Sequence, residues 1–252
     1  MRELLRMARM LGFHLRMFAG NSYFAQLLFT STLSILLMQW VASFAVGRGL
    51  PEEGWMRAGM MGTWVVCAVS TGLVGFQRFQ GVLVHQVTSS IGPLRALLPV
   101  VGSASVFAML AFPVAYSAAV VVGGGDLPSL TLRMVVAAFI FWCAASSMAL
   151  LLAAVFSHSP DALMYESLAS TPLVLVSGVF GLPASMGWVD PLLRLIPLRS
   201  AVLAFEPDAS WISFVVDCAL ALVASAAWVL GALLIGRRVV AMAVRDAKVE
   251  VI

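Results

Sequence analysis

The chain has 252 residues, of which 62% are apolar and 11% charged, and a formal net charge of +3. A soluble domain is about 45–50% apolar and about 25% charged, so this composition argues against a soluble globular fold. It excludes disorder, which needs low hydrophobicity. The basic residues form no stripe with interleaved aromatics, so nucleic acid is not an expected partner.

The charges are spaced unevenly. Six stretches, 17–47, 58–77, 96–125, 134–160, 167–189 and 218–236, contain no Asp, Glu, Lys or Arg. A helix crosses the hydrocarbon core in about 20 apolar residues, and each stretch reaches or approaches that length. The fold class expected is an all-α membrane protein with six transmembrane helices, residues 1–252 forming a single transmembrane domain. A β-barrel is disfavoured, because its strands alternate polar and apolar over about 10 residues.

In chain order, residues 1–20 come first. At 100° per residue Arg2, Arg6, Arg9 and Arg16 share one face, and Leu4, Met7, Leu11, Leu15 and Phe18 share the opposite one. That pattern predicts an amphipathic helix lying in a membrane interface, with membrane lipid as a partner. It lacks the single apolar block and cleavage site of a signal peptide. Spans are expected at 23–46, 58–76, 96–122, 130–156, 162–181 and 211–235. Between them lie the loop 47–57, a polar segment at 77–95, the turn Gly123-Gly124-Gly125-Asp126, the link 157–161 and the segment 182–210. A basic tail, 237–252, closes the chain. Segment 182–210 holds Pro183, Pro191, Pro197 and Pro207, yet stays rich in Leu, Ile and Val. Proline breaks it too often for a seventh span, and it is too apolar for a free loop. A short re-entrant helical hairpin fits both properties, covered by protein or facing a water-filled cavity.

Basic residues set the expected orientation. With both termini in the cytoplasm, ten of the 15 Lys and Arg lie inside and five outside. Trp55, Trp188 and Trp211 then fall near the outer interface, where tryptophan is enriched.

The chemical inventory points away from catalysis. A phosphate-binding G-x-x-x-x-G-K-[ST] loop needs a lysine, and the one lysine, Lys248, is followed by Val249. His14, His85 and His158 lie far apart, and Cys67, Cys143 and Cys218 have no C-x-x-C spacing. No catalytic residue, metal site or disulfide framework is expected.

Two acids lie in or beside spans. Asp217 sits six residues past Trp211, about 9 Å along a helix, and would reach the interface or pair with Arg194 or Arg199. Glu166 begins a stripe with Ser170 and Ser177 on one helix face. The stripe reads equally as a close helix–helix contact or as the lining of a transport path, and Pro172 should bend that helix.

Three features carry a resemblance. An amphipathic amino-terminal helix precedes six spans. After the second comes Phe76-Gln77-Arg78-Phe79-Gln80-Gly81-Val82-Leu83. The fifth ends in Ser177-Gly178-Val179-Phe180-Gly181-Leu182-Pro183, followed by Leu195-Ile196-Pro197-Leu198. In this order they resemble the ABC-2 type permease family, the membrane subunits of ATP-binding cassette exporters. The resemblance implies that Gln77, Arg78, Gly81 and Leu83, in the cytoplasmic segment 77–95, couple to a separate ATP-binding subunit. It implies that Pro183, Pro191 and Pro197 shape an extracellular re-entrant hairpin. It further implies a second permease subunit, identical or paralogous, and ATP and magnesium held on the partner ATPase with no cofactor on this chain. The location implied is a bacterial plasma membrane, and the activity is efflux of an amphipathic or hydrophobic substrate: a drug, peptide antibiotic, lipid or glycan. Such efflux can underlie antibiotic resistance. The rival is an ion-coupled secondary carrier or channel, which tends to show inverted repeats and paired intramembrane charges.

Overall fold

The structure, a computed structural model, describes residues 2–51, 53–79, 93–125, 128–156 and 162–247, with the backbone alone at 2–4, 73–79, 93–97, 162–167, 184 and 239–247. Among the described residues the protein is all-helical: α1 (Arg2–Ala19), α2 (Ser22–Ala45), α3 (Gly54–Phe79), α4 (Pro93–Ala108), α5 (Ala111–Val122), α6 (Leu132–Phe156), α7 (Ala162–Ser177), a 3₁₀ turn (Ala184–Val189), α8 (Asp190–Leu193), α9 (Pro197–Leu203) and α10 (Trp211–Ala247). Among the described residues four helical stretches are long and apolar enough to cross a membrane: Ser22–Ala45, Leu98–Val122, Leu132–Phe156 and Trp211–Arg238. The expected second and fifth spans correspond to α3 and α7, whose side chains are described over 54–72 and 168–177 only. The described part of α7 has 16 residues, Ala162–Ser177.

α3 is the inner helix of the bundle. It packs on α2, α4, α5, α6 and α7. Buried side chains surround it on every side, among them Trp64, Cys67, Thr63, Ser70 and Thr71. The helices around it shield the hydroxyls of Thr63, Ser70 and Thr71. Lipid tails are as apolar as leucine, so membrane helices associate through close packing. The contact faces here are accordingly small. Ala104, Ala108, Ala111, Ala115 and Ala119 are buried along α4 and α5, and Ala137, Ala144, Ala145 and Ala149 along α6. Gly62 of α3 lies against Thr32 of α2 and Ala111 of α5, and Gly59 lies against the Phe112 ring.

The chain turns sharply between α1 and α2. Gly20 donates to the Arg16 carbonyl, the Asn21 side chain caps α2 by accepting from the Tyr23 amide at 3.0 Å, and Phe18 meets Phe24 edge to face at 4.6 Å. The apolar face of α1 packs on α4, with Phe18 buried, Leu15 against the core and Leu11 beside Gly102. The chain itself covers the face that the sequence pattern assigns to lipid.

The expected third span is interrupted. Pro113 has no N–H for the Met109 carbonyl, and α4 ends at Ala108, five residues before it. Met109 and Leu110 donate to Val106 and Phe107, three residues back. Two carbonyls thereby lose their helical partners, and side chains of neighbouring helices take over. Trp142 Nε1 of α6 donates to the Ser105 carbonyl at 2.6 Å, and Thr63 Oγ1 of α3 donates to that of Ala108 at 3.3 Å. Backbone in an apolar interior needs such replacement donors.

Four further boundaries differ from expectation. α7 ends at Ser177 and not at 181, because Gly178 and Gly181 adopt positive φ, +78° and +85°, as residues closing a helix commonly do. Gln77 and Arg78 belong to the last turn of α3, and α4 begins at Pro93, so both ends of the expected loop 77–95 are helical. Residues 237–247 continue α10 without a break. Trp55 is buried edge-on against Tyr116 at 5.2 Å, whereas Trp188 and Trp211 are exposed.

Candidate functional site

The densest polar constellation lies where segment 182–210 meets the bundle. After Pro183 the chain forms the 3₁₀ turn, α8 and α9. Pro191 falls in the first turn of α8 and Pro197 opens α9, positions where the missing N–H costs nothing. α9 packs on α6, α7 and α10, and Leu198, Ala201 and Leu203 are buried. Phe205 completes an aromatic cluster, parallel to Phe112 at 6.1 Å and edge-on to Phe141 at 6.4 Å. The segment is thus covered by protein on its inner side.

Four ionised groups hold it. Asp190 lies at the centre, accepting from Arg194 Nε at 3.0 Å and from Arg199 at 2.6 and 2.7 Å. Arg194 reaches on to Asp217 of α10 at 2.9 Å. Of the alternatives open for Asp217, the structure shows the pairing with Arg194. The Arg199 side chain is 12% exposed and that of Asp217 8%. Burial raises the Asp190 pKa, but the hydrogen bonds and charges of Arg194 and Arg199 outweigh it and hold the carboxyl below its ordinary range. Arg194 is correspondingly raised, chiefly by its hydrogen bond to Asp190. Arg199 Nη1 also donates to the Ser177 carbonyl at 3.4 Å, tying the segment to the end of α7.

A second clasp lies nearby. Arg133, at the start of α6, donates to the carbonyls of Ala209 and Glu206 at 2.7 and 3.1 Å. Its guanidinium lies 4.7 Å from the Phe214 ring centroid and 5.9 Å from that of Trp211. Helices α6 and α10 and the segment that precedes α10 are thereby joined through one side chain.

The expected site residues are placed unevenly. Ser177 is buried, and its hydroxyl donates to the Val174 carbonyl at 2.6 Å; it offers a path no free group. Ser170 is half-buried and has an interaction of its own. The Glu166 side chain lies outside the described residues, as do those of Gln77 and Arg78; Gly81 and Leu83 lie outside them altogether. Pro183, Pro191 and Pro197 all flank or open the short helical turns. Among the described residues no three His, Cys, Asp or Glu side chains come together as a metal site would require.

Sequence reasoning missed Asp190, the centre of the constellation. Its signal was the spacing to Arg194, four residues on, where opposite charges meet across one helical turn. It also missed an open apolar groove of about 670 Å³ between α2 and α5. The interruption of the third span was signalled by Pro113 within a charge-free stretch.

The chain matches no protein-family model, no curated protein and no solved structure.

Proposed function

We propose that the chain is the membrane subunit of an ATP-driven exporter of the ABC-2 type, working with a second permease subunit and a separate ATPase. In this reading α2, α3, α4–α5, α6, α7 and α10 are six spans, both termini are cytoplasmic, and 182–210 is the outward-facing re-entrant segment. The observation that carries it is the anchoring of that segment. Short proline-opened helices are ion-paired to α10 through Arg194–Asp217 and hydrogen-bonded to the end of α7 through Arg199. A segment fixed to two helices follows their tilt, as a gate driven from the opposite membrane face requires. Gln77, Arg78, Gly81 and Leu83 would receive the thrust of the ATPase. ATP shifts such an equilibrium only by binding one state more tightly than the other.

One observation favours the rival carrier or channel, since Asp217 is an acid within a membrane-length helix paired with an arginine. The bond joins α10 to the short segment beyond the helix end, which suits an anchor better than a proton or ion relay.

The test is purification of the tagged chain from its own membranes. The export reading expects a nucleotide-binding subunit to copurify, and Gly81→Pro to uncouple ATP hydrolysis from export while leaving insertion intact. A chain that alone moves ions or solutes down a gradient in liposomes would replace this reading with the carrier.

A further inference from the structure

The outward face of α1 has no partner within the chain. α1 carries four Arg against one Glu. Arg6, Arg9 and Arg16 are exposed, and their guanidinium groups form no ion pair or hydrogen bond among the described residues. Between them on the same face stand Leu5, Phe13 and Met17, each at least half exposed. The opposite face is already used on α4. The surface left over is therefore cationic and apolar at once, an unfavourable surface to leave in water.

The groove between α2 and α5 begins beside this face. Ala19, one turn after Arg16, lines it together with Leu28, Phe29, Leu33, Pro113 and Val121. Its volume falls within the range of small-molecule sites, about 300–1,000 Å³. Its one hydroxyl, that of Ser117, donates to the Pro113 carbonyl at 2.8 Å. The groove demands hydrocarbon and offers no unmet hydrogen bond.

Charge complementarity selects the occupant. A free anion would satisfy the arginines and leave the apolar residues wet. A second copy of the chain, docked about a two-fold axis, would set this cationic face against itself. A phospholipid with an anionic headgroup meets both demands, and arginine pairs with phosphate through two parallel hydrogen bonds. We propose that α1 and the α2–α5 groove form a binding site for an anionic phospholipid, its headgroup on Arg6, Arg9 and Arg16 and an acyl chain in the groove. The proposal rests on the membrane reading but not on the export reading, because neither the ATPase nor the substrate enters it.

The full chain, purified in mild detergent, is offered equal amounts of phosphatidylglycerol and phosphatidylcholine, and the retained lipid is counted by native mass spectrometry. The wild type is expected to favour phosphatidylglycerol, with the preference falling by roughly fivefold or less for each arginine removed and lost in Arg6→Gln/Arg9→Gln/Arg16→Gln. Ser117→Trp, at an exposed groove position, should lower retention of both lipids and leave their ratio unchanged. Unfolding curves on the same samples confirm that each variant is folded. Equal retention of the two lipids by the wild type, or an unchanged preference in the folded triple variant, would overturn the site. So would a change from dimer to monomer caused by the triple variant with no change in lipid, which would give the face to a second copy.

Discussion

Gly62 is the position where one added carbon should do the most damage. It lies on α3 where α2 and α5 both close on the helix. A Cβ there would stand 2.8 Å from the Ala111 Cβ, and closer still to Thr32 Oγ1. Carbon atoms in good contact are about 3.5–4.0 Å apart, so α5 must retreat by roughly 1 Å while α2 yields on the other side. Overpacking of this kind costs about 1–3 kcal/mol, and with two helices displaced the upper half applies. Against it, alanine in a helix interior gains roughly 0.5–1 kcal/mol over glycine. Gly62→Ala should therefore destabilise the protein by about 1–2.5 kcal/mol, measured by reversible unfolding in mixed micelles.

Two companions isolate the cause. Thr32 Oγ1 is buried without a hydrogen-bond partner, so Thr32→Ala removes the nearest obstacle without breaking a bond. The double variant should recover part of the loss, with a coupling of about 0.5–3 kcal/mol, the range for residues in contact. At Gly102 a Cβ would meet Leu11 Cδ1 at an ordinary 3.6 Å, so Gly102→Ala should be neutral or stabilising. A Gly62→Ala protein as stable as the wild type, or a Gly102→Ala protein equally damaged, refutes the packing argument.

Three more outcomes are expected. Gly178→Ala forces a side chain into positive φ and against Arg199; the backbone strain alone is roughly 1–2 kcal/mol, and limited proteolysis within 182–210 should quicken. Trp142→Phe removes the donor that satisfies the Ser105 carbonyl and should cost about 1–3 kcal/mol, the penalty for a buried group left unpaired, seen as a lower unfolding midpoint. The lowered Asp190 pKa gives a signed pH dependence: its stabilisation is complete above the unfolded value of about 3.9 and is lost as pH falls through the lower folded value. Asp190→Asn should lower stability at neutral pH and flatten that acid limb, and an unchanged limb would remove Asp190 as its source.

The helix pattern was legible because charge-free length is a one-dimensional property. Ser22–Ala45, Leu132–Phe156 and the start of α10 fall within two residues of expectation. What failed was three-dimensional. Gly178 could have ended α7 or merely packed within it, and only its φ separates the two. The amphipathic face of α1 was correctly drawn, but periodicity shows that a face is apolar and not what covers it. Trp55 obeys the same limit, since its residue type favours an interface and its neighbour Tyr116 buries it. The ion cluster was half readable: Asp217 stood out because its surroundings are apolar, whereas Asp190 sat among prolines where a charge attracts no notice. Gln77, Arg78, Gly81, Leu83 and Glu166 rest on resemblance or stripe alone, because no described side-chain geometry bears on them.

The charge arithmetic of segment 182–210 explains how an otherwise apolar stretch tolerates its ions. Asp190 and Asp217 balance Arg194 and Arg199, so the cluster is formally neutral and each member has a partner. Removing one member of such a set leaves an uncompensated charge in a partly buried place, which costs more than the intact set contributes. Among the described residues Arg133 has no carboxylate partner and is held instead by two carbonyls and two aromatic rings. Those partners all lie in 206–214, at the entry to α10, while the neutral cluster links 190–199 to α10 one turn further on. The short helices are therefore tied to α10 through Arg194–Asp217 and, beyond their carboxyl end, to α6 through Arg133. A joint movement of α6 and α10 would carry them as a unit, and the Arg199 bond to the Ser177 carbonyl, longer at 3.4 Å than any contact within the ion cluster, is the contact that would open first.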